Sequence, residues 1–458
     1  NEAEAEQDPS LPEEDCIEEP SPRKKKATHA ELFKGLTVHK QVIPLAKEDK
    51  ICPVCGTPME RIGEEYVRRE LVFTPARCEI YEYYTESYGC PNCKDGKGDT
   101  EKAVIIKSKA APALIGKGPA SLSTVAWTIY QKYANGMPLY RQEKDWKEYG
   151  AAISRTTLAN WIIYSAEHYF RPLYDYFHRQ LLQREFLMAD ETRVQVLKEP
   201  GRSAESQSFM WLFRTGEDGQ PVILLYGYTP TRSGNNAADF LDGFQGYLET
   251  DGYQGCNKVS GIKRCSCWAH IRRYFVDAIP KGKQLDYNQP AVQGVHYCDR
   301  LARLESTITS KCGADHEKRK QMRLEKEKPV LEAFWAWVDS QNPTRNTRLD
   351  KALTYVKNRR ETSMTYLEDG RCSFTNNLSE NTIQPFTVGR KNWLFSDSVE
   401  GAQASAITYT MVEMAKAHNL NIYGYLSYIL EQRPDESWND EQLAELAPWS
   451  EKLQTLKI

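Results

Sequence analysis

The sequence predicts an α/β protein centred on a mixed sheet with flanking helices, preceded by a small metal-binding module and a helical block. Three observations support this fold class: two CxxC pairs near the start, a helix-period segment over residues 110–185, and five strand-like segments that alternate with helices. The chain has 458 residues, which is enough for about three domains.

Charge and hydropathy exclude several classes of protein. The chain has a net charge of −3 and no run of 18 apolar residues, so we expect no membrane span. Residues 1–22 carry nine Asp or Glu and no Lys or Arg, which differs from a secretory signal peptide and favours a cytoplasmic location. This acidic start, with its Ser and Pro, predicts a disordered tail or linker over residues 1–34.

Residues 35–105 are predicted to form a zinc ribbon. The segments "CPVCG" and "CPNCK" contain two CxxC pairs, formed by Cys52 with Cys55 and by Cys90 with Cys93. Four thiolates at this spacing make the closed tetrahedral set that one structural Zn²⁺ prefers. The segment between the pairs is rich in Tyr, Val and Ile and is broken by "TPAR", which indicates two strands and a turn. The alternative is a pair of reduced surface turns without metal.

Residues 106–185 are predicted to form a helical domain that resembles a helix-turn-helix. Within "LYRQEKDWKEYGAAISRTTLANWI", one helix should end at Gly150 and the next should begin after Ser154, a good N-cap residue. In such a motif the second helix enters the major groove of DNA, so Arg155, Thr157 and Asn160 are candidate DNA contacts. The alternative is an ordinary helical hairpin.

The strands follow in an order that indicates a ribonuclease H-like sheet. "FLMADETRVQVL" predicts the first strand, and "SQSFMWLFRTG" and "PVILLYGYTPTRS" predict a hairpin closed by "EDGQ". A short helix, a fourth strand and a fifth strand running into a helix complete the order. The core should occupy residues 186–267 and 371–420, with a helical insertion over 268–370 and a helical tail over 421–458.

This order makes Asp190 and Asp251 neighbours. Asp190 lies on the apolar face of the first strand, whereas Glu191 lies on the more polar face, where a charge costs little. Asp251 ends the fourth strand, which in this order lies beside the first. Two adjacent carboxylates repel, and divalent cations between them remove the penalty. We therefore predict two Mg²⁺ (or Mn²⁺) ions that act on a phosphodiester. The alternatives are a carboxylate capped by backbone at Asp190 and a simple Asp-Gly turn at Asp251.

A third carboxylate is expected in "NNLSENTIQPFTVGRKNWLF". Asn376 or Asn377 can cap a helix, Glu380 lies one turn into it, and Pro385 should kink or end it. We predict Glu380 as the third acid because it combines a polar cap with apolar residues behind it. The acids that compete with it are Glu361, Glu368, Asp369 and Glu400.

Other residues of the same region are candidate DNA contacts. Arg390 and Lys391 in "GRKNWLF" are predicted to contact the DNA backbone, and His270 in "CWAH" is predicted to contact DNA or the third carboxylate. A second metal site that uses Cys265 and Cys267 with His270 is disfavoured.

Several of these motifs resemble the transposases of the insertion-sequence 66 family: "ADETRVQVL", "YTPTRSGNNAADFLDGFQGYLETDGY", "CWAHIRRYF" and "NNLSENTIQPFTVGRKNWLF". The likeness spans about residues 35–450, and the cysteine module resembles that family's zinc finger. The resemblance implies an Asp-Asp-Glu transposase with Asp190, Asp251 and Glu380 as its acids. It also implies binding of transposon ends and target DNA, a homo-oligomer on DNA, and accessory proteins of the same element.

Two residues depart from the family pattern. Thr375 stands where an acid commonly precedes the Asn pair, and Asn381 stands where an Arg tends to follow the Glu. Neither change removes a predicted ligand. They leave open a catalytically decayed copy that still binds DNA, and a structure-selective nuclease on the same fold is a third hypothesis.

Overall fold

The computed structural model describes residue 58 and residues 78–89, 105–107, 111–116, 118–280 and 286–456. The chain divides into two compact units, residues 1–77 and 78–458. The predicted zinc ligands lie outside the described residues: Cys52, Cys55, Cys90 and Cys93. In the second unit, β1 (Ser87–Gly89) pairs antiparallel with β2 (Ile105–Lys107).

Helices precede the central sheet, and two of them have the predicted helix-turn-helix outline. Ser154 caps the second of the pair, because its side chain accepts a hydrogen bond from the backbone N of Thr157 at 3.2 Å. Gly150 adopts φ +86° in the connecting turn, a conformation that favours glycine. The helices are α1 (Leu122–Tyr133), α2 (Leu139–Glu148), α3 (Arg155–Ser165), a π-helical turn (Ala166–Phe170) and α4 (Arg171–Leu182).

A mixed sheet forms the centre of the second unit, in the order β5-β4-β3-β6-β7. The β3–β4 and β4–β5 pairs are antiparallel, whereas β3–β6 and β6–β7 are parallel. This order confirms the predicted one and is consistent with a ribonuclease H-like fold. The strands are β3 (Phe186–Lys198), β4 (Gln207–Thr215), β5 (Leu224–Thr229), β6 (Gly246–Thr250), β7 (Ile262–Ser266) and the short β8 (Ser396–Ser398), which pairs with β3.

Helices cover both faces of the sheet. Phe186 and Leu187, adjacent on β3, belong to two different hydrophobic cores, as alternation along a strand requires. None of the described helices is long and apolar enough to cross a membrane. The remaining helices are α5 (Gly234–Phe240), α6 (Trp268–Ala278), α7 (Pro290–Cys312), α8 (His316–Lys326), α9 (Lys328–Ser340), α10 (Arg348–Lys357), α11 (Asn377–Trp393), α12 (Val399–Ala417), α13 (Ile422–Gln432), α14 (Asp440–Glu445) and α15 (Glu451–Leu456).

Helix α11 does not end at Pro385 but continues to Trp393, so of the two expected effects of the proline, a kink or an end, the end does not occur. A proline removes one backbone hydrogen bond, and the buried side chains of Ile383 and Phe386 on either side of it hold the helix to the core. Gly389 permits a close approach, since a Cβ there would lie 2.3 Å from the Tyr409 hydroxyl oxygen. The continued helix carries its last turn to β3.

The helices between β7 and α11 enclose a buried ionic network. The Arg323 side chain is 1% exposed and donates from Nε to Glu305 Oε2 at 2.9 Å. The Tyr366 hydroxyl, also buried, donates to Glu327 Oε2 at 2.8 Å. Burial raises the pKa of Glu327 to about 8, and the nearby negative charge of Glu305 adds to this effect.

We expect Glu327 to make the stability of the chain fall as pH rises. From its usual pKa of 4.5 to about 8, the folded state holds a proton on Glu327 that the unfolded state has lost. The free energy of unfolding then falls by up to about 1.4 kcal/mol per pH unit across that window. The free energy of unfolding, measured with urea at pH 5 and pH 8, should fall less for Glu327→Gln than for wild type. The control is Glu332→Gln, at an exposed position of α9; identical slopes in all three proteins would contradict the prediction.

Candidate active site

Parallel pairing of β3 with β6 brings Asp190 and Asp251 together. Met188 pairs with Glu249, and Asp190 and Asp251 each follow two residues further along the chain, close enough for the charge of Asp251 to raise the pKa of the buried Asp190. Asp251 follows the last residue of β6, and its Oδ1 accepts a hydrogen bond from the backbone N of Tyr253 at 2.7 Å. The predicted neighbourhood of the two acids therefore follows from strand order and register.

Tyr355 on α10 and Arg359 just after it brace the turn that carries Asp251. The Tyr355 hydroxyl donates to the Asp251 carbonyl at 2.8 Å, and Arg359 Nη2 donates to the Gly252 carbonyl at 2.6 Å. Gly252 has φ +91°, and a Cβ there would lie 2.3 Å from Arg359 Nε. The Asp-Gly pair thus forms a turn and also presents a carboxylate, so the two alternatives for Asp251 are compatible.

The first turn of α11 is attached to β3 beside Asp190. Asn376 occupies the N-cap position, but its side chain does not cap the helix; Nδ2 donates to the Ala189 carbonyl at 3.3 Å. The backbone N of Asn376 donates to Cys267 Sγ at 3.1 Å, and its carbonyl accepts from the backbone N of Glu380 at 3.1 Å. These contacts direct Glu380 toward the acid of β3.

The carboxylates interact through a poorly solvated space. Burial raises the pKa of Asp190 well above its usual value, and the charges of Glu191, Asp251 and Glu380 raise it further. The backbone N of Glu191 donates to Asp190 Oδ1 at 2.8 Å and opposes this shift only in part. Full ionisation of the group is therefore costly unless a cation is present.

His270 lies beside the third carboxylate, as one of its two predicted roles requires. Its Nδ1 is 3.8 Å from Glu380 Oε1, too far for a hydrogen bond, and both atoms are buried without a hydrogen-bond partner among the described residues. Burial lowers the pKa of His270, although the charges of Glu380 and Asp251 act in the opposite direction. Two buried polar atoms with this separation indicate a place for a further polar ligand.

The donor set fits a hard divalent cation. The ligand atoms of Cys267, His270 and Glu380 lie within 4.8 Å of one another. Burial raises the pKa of the Cys267 thiol to about 12, and a soft sulfur ligand does not suit a hard cation. The carboxylate oxygens of Asp190, Asp251 and Glu380 remain, and Mg²⁺ or Mn²⁺ prefers oxygen ligands of this kind.

The expectation that a charge costs little at Glu191 is wrong. Its side chain is only 5% exposed, and Arg232 Nε donates to Glu191 Oε1 at 2.5 Å. Arg232 Nη2 also lies 3.6 Å from Asp251 Oδ2. Burial raises the pKa of Glu191 to about 7, with the charge of Asp251 adding to it. Arg232 was not predicted from the sequence. Its only sequence signal is Glu191 itself, a second acid next to Asp190 that needs a positively charged partner when buried.

The competing acids occupy other surroundings. Glu368 contacts Lys263 Nζ at 2.5 Å, and Asp369 forms an ion pair with Arg371 at 2.8 Å. Glu361 is exposed, and so is Glu400 in the first turn of α12. Of these acids and Glu380, only Glu380 is among the charges that raise the pKa of Asp190.

Apart from His270 on α6, the predicted DNA contacts lie on two helices, α11 and α3. Arg390 Nη1 donates to Thr192 Oγ1 at 3.1 Å and to the carbonyl of Arg193, which attaches the end of α11 to β3, and Lys391 beside it is exposed. Arg155 and Asn160 are exposed in the first two turns of α3, whereas Thr157 is half-buried and its backbone N serves the Ser154 cap. The candidate DNA contacts on α3 therefore belong to a different element from those that carry the three acids.

Two protein-family models match the chain. The model described as "Transposase IS66 family" matches residues 117–404, which is more than half of the chain and includes all three acids. The chain belongs to the IS66 family of transposases. The model described as the zinc-finger binding domain of transposase IS66 matches residues 49–94, which include the four predicted zinc ligands. The Asp-Asp-Glu domain of IS66 transposases implies phosphoryl transfer on DNA with divalent metal ions.

Curated proteins of Sinorhizobium fredii are similar over most of this IS66 transposase. Uncharacterized protein y4qI is 26% identical over 436 residues, which cover 92% of this chain and 77% of the relative. Uncharacterized protein y4jD is 26% identical over 420 residues, which cover 88% of this chain and 79% of the relative. The names of these relatives assign no activity.

Proposed function

We propose that this IS66 transposase binds the inverted-repeat ends of an insertion sequence, cuts the strands there and joins them to target DNA. The observation that supports this most is the convergence of Asp190, Asp251 and Glu380 from β3, β6 and α11. Burial raises the pKa of Asp190, and the charges of Asp251 and Glu380 raise it further, as expected for acids arranged to share cations. Strand transfer requires such a site together with surfaces that bind DNA.

In this proposal the three acids hold two Mg²⁺ or Mn²⁺ ions. When bound, such ions supply the charge that activates the attacking oxygen and stabilises the leaving oxygen. The other residues orient the acids before DNA arrives: Asn376 anchors α11 to β3, and Tyr355 and Arg359 brace the turn after β6. Such preorganisation lowers the reorganisation needed during reaction.

Both chemical steps exchange one phosphorus–oxygen bond for another. In cleavage, a water oxygen bonds to phosphorus, the bond from phosphorus to the 3′ oxygen breaks, and that oxygen receives a proton as a 3′-hydroxyl. In joining, this hydroxyl oxygen loses its proton and bonds to a target phosphorus, while the target 3′ oxygen leaves and is protonated. The acid site needs only to position the groups and balance charge, because no covalent intermediate with protein is required.

The remaining parts of the proposal concern recognition. The helix pair α2–α3 reads the ends through Arg155, Thr157 and Asn160, and His270, Arg390 and Lys391 serve DNA close to the acids. A zinc ribbon over residues 35–105 holds one Zn²⁺, which its CxxC spacing and the zinc-finger family match support. The core comprises residues 186–267 and 371–420, separated by the insertion over 268–370. A homo-oligomer on DNA and accessory proteins from the same element stay predictions.

The test is a reaction of the full chain with duplex DNA taken from both sides of its gene. We expect cleavage at the 3′ ends of short inverted repeats and joining to a plasmid, in Mg²⁺ or Mn²⁺ but not in EDTA. Specific binding of the ends without cleavage would instead identify a catalytically decayed copy. Metal-dependent cleavage of branched DNA without joining would identify a structure-selective nuclease.

Replacing Arg155 and Asn160 together with Ala should weaken binding of the ends more than binding of unrelated duplex. Base-edge contacts contribute about 1–3 kcal/mol of discrimination each, whereas phosphate contacts weaken all sequences alike. Competition binding at several salt concentrations measures the ratio of the two affinities. The control is Lys147→Ala, at an exposed position of α2. An equal loss for both DNAs would mean that α3 does not recognise bases.

A further inference from the structure

A polar cleft of about 320 Å³ opens beside the acids. Its walls come from β3, β4, the loop before α5 and the end of α11, and three of its lining residues are arginines. The lining residues are Glu191, Thr192, Arg193, Phe209, Arg232 and Arg390.

The Arg232 side chain is fixed by Glu191 and Tyr253 on one side and is open to the cleft on the other. Glu191, 5% exposed, accepts a hydrogen bond from Nε and forms an ion pair with Nη2, and the guanidinium carbon lies 4.1 Å from the centre of the Tyr253 ring. The Tyr253 hydroxyl in turn donates to the Arg232 carbonyl. The Arg232 side chain is nevertheless 42% exposed, so part of its five-donor guanidinium faces the cleft.

This arrangement differs from a structural ion pair in the same sheet domain. Arg184 and Asp218 form such a pair with both side chains 7% exposed, so each encloses the other. In the pair of Arg232 with Glu191, only the Glu191 carboxylate is enclosed. The guanidinium also lies 3.6 Å from Asp251 Oδ2, which places a planar cation next to one of the three acids.

The two other arginines extend the positive surface away from the acids. Arg390 is fixed by Thr192 Oγ1 and by the carbonyl of Arg193, and the Arg193 side chain is exposed on β3. A row of guanidinium groups suits successive phosphates of one DNA strand, since each can form paired hydrogen bonds with phosphate oxygens.

We propose that Arg232, oriented by Glu191 and Tyr253, is a catalytic residue that donates hydrogen bonds to the phosphodiester group at the acids, and that Arg193 and Arg390 hold the next phosphates of the same strand. The inference rests on the proposed function, because it requires a DNA strand at the acids. Charge that accumulates on the phosphate oxygens during reaction is stabilised most by donors that are already in place. Glu191 is the positioning residue that fixes them.

The first measurement is single-turnover cleavage of the end duplex at saturating protein. Arg232→Ala should lower the rate about 100-fold, as loss of one fixed donor to a developing charge does elsewhere. Arg232→Lys, which keeps the charge but loses the planar fork, should also be slower than wild type. The control is Arg371→Ala: Arg371 likewise pairs with two acids, Asp369 and Glu185, and lies over the ring of Phe186, and its loss should leave the rate unchanged.

The second measurement detects the phosphate contact itself. Neutral methylphosphonates replace single phosphates around the cut, and binding is measured in Ca²⁺ by fluorescence anisotropy. Wild type should lose about tenfold in affinity at one position, and Arg232→Ala should show no further loss there. A double variant, Glu191→Gln with Arg232→Ala, should behave the same and leaves no unpaired buried charge. Thermal melting verifies that every variant is folded.

The outcomes separate this inference from the proposed function. If wild type cleaves and Arg232→Ala cleaves at a rate within twofold of it, the role of Arg232 alone is overturned. The same follows if each methylphosphonate lowers the affinity of both proteins equally. Wild-type binding without cleavage would remove the proposed activity, and the phosphate scan would still decide the contact. No binding of end DNA by wild type would overturn both.

Discussion

Glu380→Gln should abolish strand cleavage and joining while binding of the transposon ends survives. The substitution keeps the shape of the side chain and its place on α11 but removes the charge that the proposed cations require. A loss of about 4 kcal/mol of transition-state stabilisation corresponds to a rate at least about 10³-fold lower. Asp190→Asn and Asp251→Asn should behave alike, because the three carboxylates act on the same ions. Cleavage rates and gel-shift affinities on one duplex measure both effects.

Glu400→Gln is the matched control for the third acid. Glu400 also lies in the first turn of a helix, but it is exposed. We expect near-normal cleavage from this variant. Near-normal activity in Glu380→Gln with a loss in Glu400→Gln would move the third acid to α12, and activity of Glu380→Gln restored by Mn²⁺ would mean that its carboxylate is not an essential ligand.

Loss of zinc should unfold the cysteine module and weaken binding of the ends. The purified chain should carry about one zinc, and Cys52→Ala combined with Cys90→Ala should remove it, since each substitution breaks one CxxC pair. Metal binding in small modules of this type contributes on the order of 10–16 kcal/mol to folding, far more than one core side chain. Metal analysis and limited proteolysis over residues 35–105 report the two consequences separately.

Cys78→Ala is the control for the zinc site. Cys78 is exposed and stands outside both CxxC pairs, so its loss should leave the zinc content at about one per chain. Wild type without zinc, or a double variant that retains it, would contradict the predicted ligand set.

The order of elements and two of the acids were accessible from sequence because they depend on local patterns. Period-two alternation with turn residues marks β3 to β5, and Ser154 marks the start of α3. Once the strand order is known, parallel pairing of β3 with β6 makes Asp190 and Asp251 neighbours without any knowledge of side-chain contacts. Glu380 was predicted for a similar reason, since a helix start with polar cap residues and an apolar side is visible in a few consecutive residues.

The surroundings of the acids depend on contacts between residues far apart in the chain, which no local pattern reports. Glu191 alternates onto the face that looks polar in sequence, yet Arg232, 41 residues later, covers it. Asn376 or Asn377 was expected to cap α11, but the Asn376 side chain instead donates to the carbonyl of Ala189, 187 residues earlier. Pro385 signals a helix end locally, and packing of α11 against the core overrides that signal. The sequence by itself determined the strand order, the metal-binding cysteine pattern and the three acids as predictions; only the tertiary structure decided which charges are buried and what compensates them, because burial depends on what packs over a face.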